Sequence, residues 1–261
     1  MALTQTIVGL LVRMRIAGLF DLGAARVLDL GEQNLYGDVR PQALADIARA
    51  LKLPDDRIAA AEAEIARLTA ASPPTLAFDL AKLLYRIVFG CTTYRAIDLN
   101  GTAVAWRHDL NQKLPVEEVF DVVTNFGTSE HVFDQARLFH SIHDLTRPGG
   151  LMLHAVPAQG GADHGFYNYH PTLFHDLAAA NGYRLAMLVL MSAGETGERV
   201  DPLKDREAYG ALVAKGDLAR DTGLFAALIR PFEARAFRAP MQGYYSGELS
   251  EAGRKQWEDR G

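Results

Sequence analysis

Arg26-Val27-Leu28-Asp29-Leu30-Gly31 is the stretch that decides the fold. It is short and almost entirely apolar, and it ends in an aspartate and a glycine, as buried parallel strands often do. Similar stretches at 93–98 and 119–125 end in Asp98 and Asn125. Such strands alternate with helical patterns, which predicts an α/β fold with a doubly wound, mostly parallel sheet and helices on both faces.

Between the first two strands lies more helix than a crossover needs. A βαβ crossover requires one helix, so we interpret residues 38–90 as a helical insertion after strand 1. Because it leaves the carboxyl end of that strand, we expect a cap above the ligand-binding edge, although a stabilising or dimerising bundle fits equally well. The apolar residues with helical spacing are Leu44, Ile47, Ala48, Leu51; Ile58, Ala61, Ile65, Leu68; and Leu76, Leu80, Leu83, Leu84, Ile87.

The chain is predicted to form one domain, residues 1–261. We expect an N-terminal helix within residues 1–22, spanning 3–20, and a C-terminal tail, 232–261, that packs back on the domain and frays from Ser250 onward. Further expected elements are strands at 104–107, 151–156, 183–191 and 223–229 and helices at 129–146, 171–181 and 205–218.

The composition sets limits on the partners. The chain has 261 residues, is 49% hydrophobic and carries a formal net charge of -5, so no nucleic acid is expected. Its single cysteine, Cys91, cannot form an internal disulfide and suits a reducing cytoplasm. The apolar N-terminus is interrupted by Arg13 and Arg15 and is too short to span a bilayer, so a cytoplasmic protein without membrane association is predicted.

The turn after the first strand argues against a dinucleotide. A Gly-x-Gly-x-x-Gly turn lets the backbone approach a pyrophosphate, but here Gly31 is followed by Gln33, Asn34 and only then Gly37. By contrast, Asp98 at the end of the second strand can accept hydrogen bonds from both ribose hydroxyls of an adenosyl group. Asp109, after the third strand, could meet the adenine amino group, although either aspartate would equally serve as a turn or helix cap.

Several motifs in one order resemble the class I S-adenosylmethionine-dependent methyltransferase family. The resemblance covers roughly residues 26–230 in arrangement, interrupted by the insertion. Its motifs are Val27-Leu28-Asp29-Leu30-Gly31; Tyr94-Arg95-Ala96-Ile97-Asp98; Asp109-Leu110-Asn111 with Leu114-Pro115; Phe120-Asp121-Val122-Val123-Thr124-Asn125 followed by Glu130-His131-Val132; and Leu145-Thr146-Arg147-Pro148-Gly149-Gly150-Leu151-Met152.

The resemblance implies a Rossmann-like sheet of seven strands, the last antiparallel, with S-adenosyl-L-methionine as cofactor. Because the turn lacks its second glycine, Gln33 and Asn34 are expected to contact the cofactor through their side chains. The long insertion is expected to determine the specificity for the acceptor. The implied cofactor-binding residues are Asp29, Gly31, Gln33, Asn34, Asp98, Asp109, Leu110, Asn125, Phe126 and Gly127.

All eight histidines lie between His108 and His175. His131, His154 and His164 should approach the same sheet edge, where a histidine could act as a general base. We prefer His164, in a glycine-flanked loop; His131 could instead orient its loop or cap a helix, and His154 could be a hydrogen-bonded residue of the sheet. No metal site is predicted, because neither His-Glu-x-x-His nor a Cys/His spacing occurs.

The leading hypothesis is therefore methyl transfer to an oxygen or nitrogen of a small polar metabolite or sugar-like acceptor. The alternatives are a degenerate methyltransferase-like binding or scaffold domain and, less favoured, an NAD(P)-dependent oxidoreductase. The helical insertion also offers a surface for a homodimer.

Overall fold

The computed structural model describes residues 2–20, 22–115, 117–194, 197–247 and 249–258. The strands are β1 Ala2–Leu3, β2 Ala25–Leu30, β3 Asn34–Leu35, β4 Cys91–Ile97, β5 Ala105–Trp106, β6 Phe120–Phe126, β7 Thr146–Gln159, β8 Arg184–Gly194, β9 Gly197–Pro202 and β10 Thr222–Ile229. The helices are α1 Gln5–Ile16, α2 Gln42–Ala50, α3 Asp55–Ala71, α4 Leu76–Phe89, α5 Gln135–Leu145, α6 Thr172–Asn181, α7 Glu207–Ala214, α8 Gly243–Ser246 and α9 Glu251–Glu258.

The main sheet has the order β5-β4-β2-β6-β7-β10-β8-β9. Strands β5, β4, β2, β6 and β7 are parallel, whereas β10 runs antiparallel to both neighbours, as expected for the last strand. The chain moves outward from β2 to β5 and then returns to the other side of β2 with β6. The carboxyl ends of β2 and β6 thus form the topological switch point, where open α/β sheets bind ligands.

The expected strand number of seven is wrong by one, because β9 was not predicted. This strand is a sheet edge that pairs with β8 from Val189–Pro202 to Gly194–Gly197. Its sequence, Gly-Glu-Arg-Val-Asp-Pro, lacks the apolar pattern by which buried strands are recognised. Edge strands need little burial and tolerate charge and proline, so the sequence carries little sign of them.

Two apolar cores cover the two faces of the sheet. Alternate strand residues point to opposite faces, so Val27 and Val122 join one core while Leu28 and Val123 join the other. Helices α1 to α4 supply the first core, and α5 and α6 supply most of the helical part of the second. Both cores end at the same sheet edge, which is left to the loops.

The predicted cap is wrong in its position. The three helices of the insertion are present, but α2 and α3 pack on each other and on α4, and all three contribute to the core on one sheet face. The apolar stripes that predicted these helices bury Leu44, Ile65 and Leu84 there. The insertion is therefore a layer of the domain and not a lid above the ligand edge.

Both ends of the chain also differ from expectation. Helix α1 is shorter than predicted, because Ala2–Leu3 pairs with β3 and the Thr4 hydroxyl accepts a hydrogen bond from the Ile7 N–H at 3.4 Å. In the tail, α9 is ordered where fraying was predicted, since the Trp257 ring stacks on Tyr244 at a centroid distance of 5.1 Å. The last predicted fraying residues, 259–261, lie outside the described residues. Over the described ranges, no helix combines the length and apolar character needed to cross a membrane.

Candidate functional site

Asp29, which is predicted to contact the cofactor, lies inside the domain and is held there by internal hydrogen bonds. It is fully buried and accepts hydrogen bonds from the Tyr94 hydroxyl at 2.7 Å, the Gln33 N–H at 3.3 Å and the Thr124 hydroxyl. Burial raises the pKa of its carboxyl group to about 6, although these hydrogen bonds act in the opposite direction. Asp29 therefore joins the turn after β2 to strands β4 and β6.

The buried carboxyl group predicts an unusual pH dependence of stability. Between its unfolded pKa of about 3.9 and its folded value of about 6, Asp29 binds a proton more tightly in the folded state. Its contribution therefore lowers the free energy of unfolding as pH rises through that window. Relative to Asp29→Asn, the free energy of unfolding of the wild type should fall by up to roughly 3 kcal/mol as pH rises through that window. Urea denaturation of both proteins across that window would measure the difference, and parallel pH profiles would contradict the prediction.

Glu32 follows Gly31 in the turn after β2. Its side chain is completely buried and accepts hydrogen bonds from the Thr102 N–H at 2.6 Å and the Thr102 hydroxyl at 2.9 Å. The ammonium of Lys82, on α4, lies 2.9 Å from the same carboxylate. Lys82 thus links the insertion to the turn after β2, and the hydrogen bonds from Thr102 link that turn to the loop after β4.

Gln33 and Asn34 are placed differently by this turn. Gln33 is fully buried, and its amide nitrogen donates to the carbonyl groups of Gly31, at 3.0 Å, and Phe126, at 3.1 Å. Its Oε1 atom is buried and has no hydrogen-bond partner among the residues described. Asn34 belongs to β3, where it pairs with Ala2. Gln33 therefore bridges the ends of β2 and β6, while Asn34 faces the N-terminal segment.

Two carboxylates follow the neighbouring strands, as the sequence predicts. Asp98 is half-buried and accepts the Glu32 N–H on one oxygen, at 2.9 Å, and the Asn100 N–H on the other, at 2.8 Å. Asp109 is exposed; its Oδ1 atom accepts both the backbone and side-chain N–H groups of Asn111 at 2.9 Å. These bonds show that both aspartates stabilise turns. They also leave acceptor sites on Asp98 and on the second oxygen of Asp109.

The other residues that are predicted to bind the cofactor contact neighbouring parts of the domain. Leu110 is buried in the second core, and Phe126 stacks on Phe225 at 6.3 Å. The Asn125 side chain binds the Ser129 N–H through Oδ1, at 3.0 Å, and the Ser129 hydroxyl through Nδ2, at 2.9 Å. Gly127 has a φ of +70°, a conformation that a side chain rarely adopts, and it lines a cavity.

His154 is buried beside Asn125. Its Nδ1 atom lies 3.0 Å from the Asn125 Nδ2, and burial lowers the pKa of the imidazole to about 3. A histidine that stays neutral in the core cannot readily exchange protons with a ligand. This environment favours the interpretation of His154 as a hydrogen-bonded residue of the sheet rather than as a general base.

A cavity of about 670 Å³ extends from the switch point across the ends of β6 and β7. Its walls combine the N-terminal segment, the loops after β6 and β7, and the adjoining ends of β8 and β10. Of the predicted insertion, only its first residue, Asp38, lines it. The polar lining residues are Thr4, Thr6, Asp38, Glu130, Gln159, His164, Ser192, Glu198, Asp221 and Thr222.

His131 and His164 meet around a buried carboxylate, Glu130, which was missed as a site residue and which lines this cavity together with His164. The two imidazole rings are 5.0 Å apart, and both Nε2 atoms face Glu130 Oε1, His164 at 3.7 Å and His131 at 4.0 Å. The Phe166 N–H donates to the Glu130 carbonyl at 2.7 Å, and Gly165 packs so closely on Glu130 that a Cβ atom would lie 2.9 Å from that carbonyl. The only signal in the sequence was the position of Glu130 directly before His131.

One family model matches the central part of the chain. A family model described as a methyltransferase domain matches residues 70–187, a range that includes Asp98, Asp109 and the Glu130 cluster. No curated protein matches the chain.

Among solved structures, the chain is similar to a 1,6-didemethyltoxoflavin-N1-methyltransferase of Burkholderia thailandensis, with 14% identity over 86% of this chain and 78% of that one and a TM-score of 0.35. It is also similar to YjhP of E. coli, with 14% identity, 87% and 93% coverage and a TM-score of 0.43. A third similar structure is a Haloferax volcanii putative methyltransferase in complex with the Trm112 activator, with 13% identity, 85% and 89% coverage and a TM-score of 0.42.

The family match, the ordered strands and the antiparallel β10 agree with what the motifs of the sequence imply. Residues 70–187 of the chain thus match a methyltransferase domain.

Proposed function

We propose that the protein transfers a methyl group from S-adenosylmethionine to an oxygen or nitrogen of a small polar metabolite or sugar-like acceptor. One observation carries this proposal: the cavity joins Phe126 and Gly127, at the switch point, to Glu130 and His164. The cofactor and a proton-accepting group would thus meet in one open cavity. The side chains of Asp38, Glu198 and Asp221 on the cavity wall suit an acceptor rich in hydroxyl or amino groups.

The residues at the sheet edge fit an adenosyl cofactor. Asp98 is half-buried and keeps one acceptor position on each oxygen, as the two hydroxyl groups of a ribose require. Asp109 is exposed after the next strand and can accept from an exocyclic amino group. The unpartnered Gln33 Oε1 is a buried acceptor that the ammonium of a methionine moiety would satisfy.

The chemistry requires the enzyme to orient the acceptor and receive one proton. The bound cofactor supplies an already activated methyl group, so the protein's own contribution is alignment and proton removal. His164 is 58% exposed and its Nε2 faces Glu130 Oε1, which makes it the proposed proton acceptor. Burial raises the pKa of Glu130, and positive charge on His131 or His164 lowers it, so an ionised Glu130 would stabilise the protonated imidazole.

Substituting His164 tests this role. We expect His164→Gln to lower turnover by roughly 10²-fold or more, the usual contribution of a general base. Because the proposed adenosyl contacts come from Asp98 and Asp109 and not from His164, the affinity for S-adenosylhomocysteine should not change. An acceptor is first identified by screening polyhydroxylated and amino metabolites for S-adenosylhomocysteine release. Equal losses of turnover and cofactor affinity would make His164 a structural residue.

A binding or scaffold function is the second candidate, and one observation favours it. The Glu32 and Gln33 side chains fill the turn and are committed to internal hydrogen bonds. A turn closed in this way would not admit the cofactor unless it rearranged. An NAD(P)-dependent oxidoreductase is less compatible still, because the Glu32 carboxylate would lie in the turn that approaches the pyrophosphate.

A further inference from the structure

Glu130, His131 and His164 form a group whose geometry differs from a hydrogen-bonded network. Their three nearest ligand atoms all lie within 4.8 Å of one another. The two separations from Glu130 Oε1, 3.7 and 4.0 Å, exceed the limit for a hydrogen bond. The three ligand atoms therefore lie close together, although neither histidine is within hydrogen-bond distance of the Glu130 carboxylate.

The two measured separations are slightly longer than the spacing of ligands around a bound metal ion, so a small movement of the side chains would let them bind one. Zinc binds histidine nitrogen and carboxylate oxygen at about 2.0–2.2 Å in tetrahedral geometry, so two ligand atoms lie about 3.4 Å apart. Two histidines with one glutamate form a known donor set for catalytic zinc, in which three protein ligands leave one position for water or substrate. Carboxylate oxygen and imidazole nitrogen are also ligands that divalent transition metals accept.

Burial provides an independent observation. The Glu130 side chain is only 1% exposed, and its second oxygen, Oε2, is buried with no hydrogen-bond partner in the described part of the chain. A buried carboxylate oxygen without a partner is costly. The two histidines, 44% and 58% exposed, face Glu130 from the solvent side, so an ion could reach the carboxylate between them.

We propose that Glu130, His131 and His164 bind a divalent transition-metal ion of the zinc class at the wall of the acceptor cavity. Since Glu130 and His164 line that cavity, an ion bound to them would lie at its wall. This inference rests on the proposed function and narrows it, because such an ion binds and acidifies a hydroxyl group. The acceptor is then an alcohol or phenol: its O–H proton leaves to solvent, its oxygen forms the bond to the methyl carbon, and the methyl–sulfur bond breaks.

The metal assignment and the role of His164 as a base make opposite predictions. As a metal ligand, His164 uses its Nε2 lone pair and cannot receive the acceptor proton. Turnover should then be lost after dialysis against a chelator and return with Zn²⁺. With His164 acting alone as a base, chelation should leave turnover unchanged.

Direct metal binding is the decisive experiment. Metal-free protein is titrated with Co²⁺ by visible absorption and with Zn²⁺ by calorimetry, without any acceptor. We expect one equivalent to bind, with the intense absorption of low-coordinate cobalt, and an affinity loss of about 100-fold in His131→Gln or His164→Gln. His140→Gln is the matched control, because His140 forms the exposed pair with Asp144 at 3.3 Å and lies outside the cluster.

The outcomes separate the two proposals. Absence of stoichiometric metal binding by the wild type, or an equal loss in His140→Gln, would overturn the metal site. Calorimetry with S-adenosylhomocysteine on the same metal-free samples reports on the cofactor site independently. Retained cofactor binding without metal binding would reject only the metal, whereas loss of both would reject the proposed function. Thermal melts of His131→Gln and His164→Gln, both exposed substitutions, check that the variants fold.

Discussion

Asp98→Ala should weaken binding of S-adenosylhomocysteine by about 100-fold. The carboxylate would accept two ribose hydroxyl groups, and a hydrogen bond to a charged group contributes about 1.5–3 kcal/mol. The substitution also removes the acceptor for the Glu32 and Asn100 N–H groups, so part of the loss will come from a looser turn. Asp98→Asn retains one acceptor oxygen and should show a smaller loss.

The matched control is Asp205→Ala. Asp205 is likewise a capping aspartate, since its Oδ1 accepts the Ala208 N–H at 2.8 Å, but it is exposed and belongs to the segment that begins α7. This variant should bind like the wild type in calorimetry. If wild-type protein bound neither S-adenosylhomocysteine nor NADH, the scaffold hypothesis would be favoured. Binding of NADH alone would reject the methyltransferase proposal.

The largest effect on stability is expected for Glu32→Ala. Removing one partner of a buried ion pair costs about 3–5 kcal/mol, because the other charge is left uncompensated. Lys82 keeps 20% of its side chain exposed, which lets water solvate part of its charge and favours the lower end of that range. The Thr102 N–H and hydroxyl would also lose their acceptor.

Urea denaturation should measure this loss as a lower midpoint with an unchanged slope. Glu62→Ala provides the comparison, since Glu62 pairs with Arg49 at an exposed position where such pairs contribute about 0–1 kcal/mol. Glu32→Gln keeps acceptor capacity for Thr102 and should fall between the two. Similar losses for Glu32→Ala and Glu62→Ala would show that the buried pair adds nothing beyond a surface one.

The sequence predicted those parts of the fold that depend on local pattern. A buried strand has a recognisable composition, so β2, β4, β6 and β10 and the aspartates after β4 and β5 could be located from it. The family resemblance added the antiparallel direction of β10. Strand β9 was missed because an edge strand needs no apolar pattern.

The predictions that failed depend on where elements pack. The helical periodicity of α2 to α4 identifies an apolar stripe but not the surface that it covers, which proved to be a sheet face. Glu130 was missed as a site residue because its importance arises from burial beneath the loop that carries His164, 34 positions further along the chain. Sequence spacing cannot reveal that contact. The homodimer and the cytoplasmic location stay predictions.

The short parallel pair of β1 and β3 connects the turn proposed to bind the cofactor with the wall of the cavity proposed to bind the acceptor. β3 begins at the residue after Gln33, and β1 leads directly into Thr4 and Thr6 on the cavity wall. A shift of the turn would therefore displace part of that wall. If binding of the cofactor at the turn raises the affinity of the cavity for the acceptor, thermodynamic linkage requires the acceptor to raise the affinity for the cofactor by the same factor.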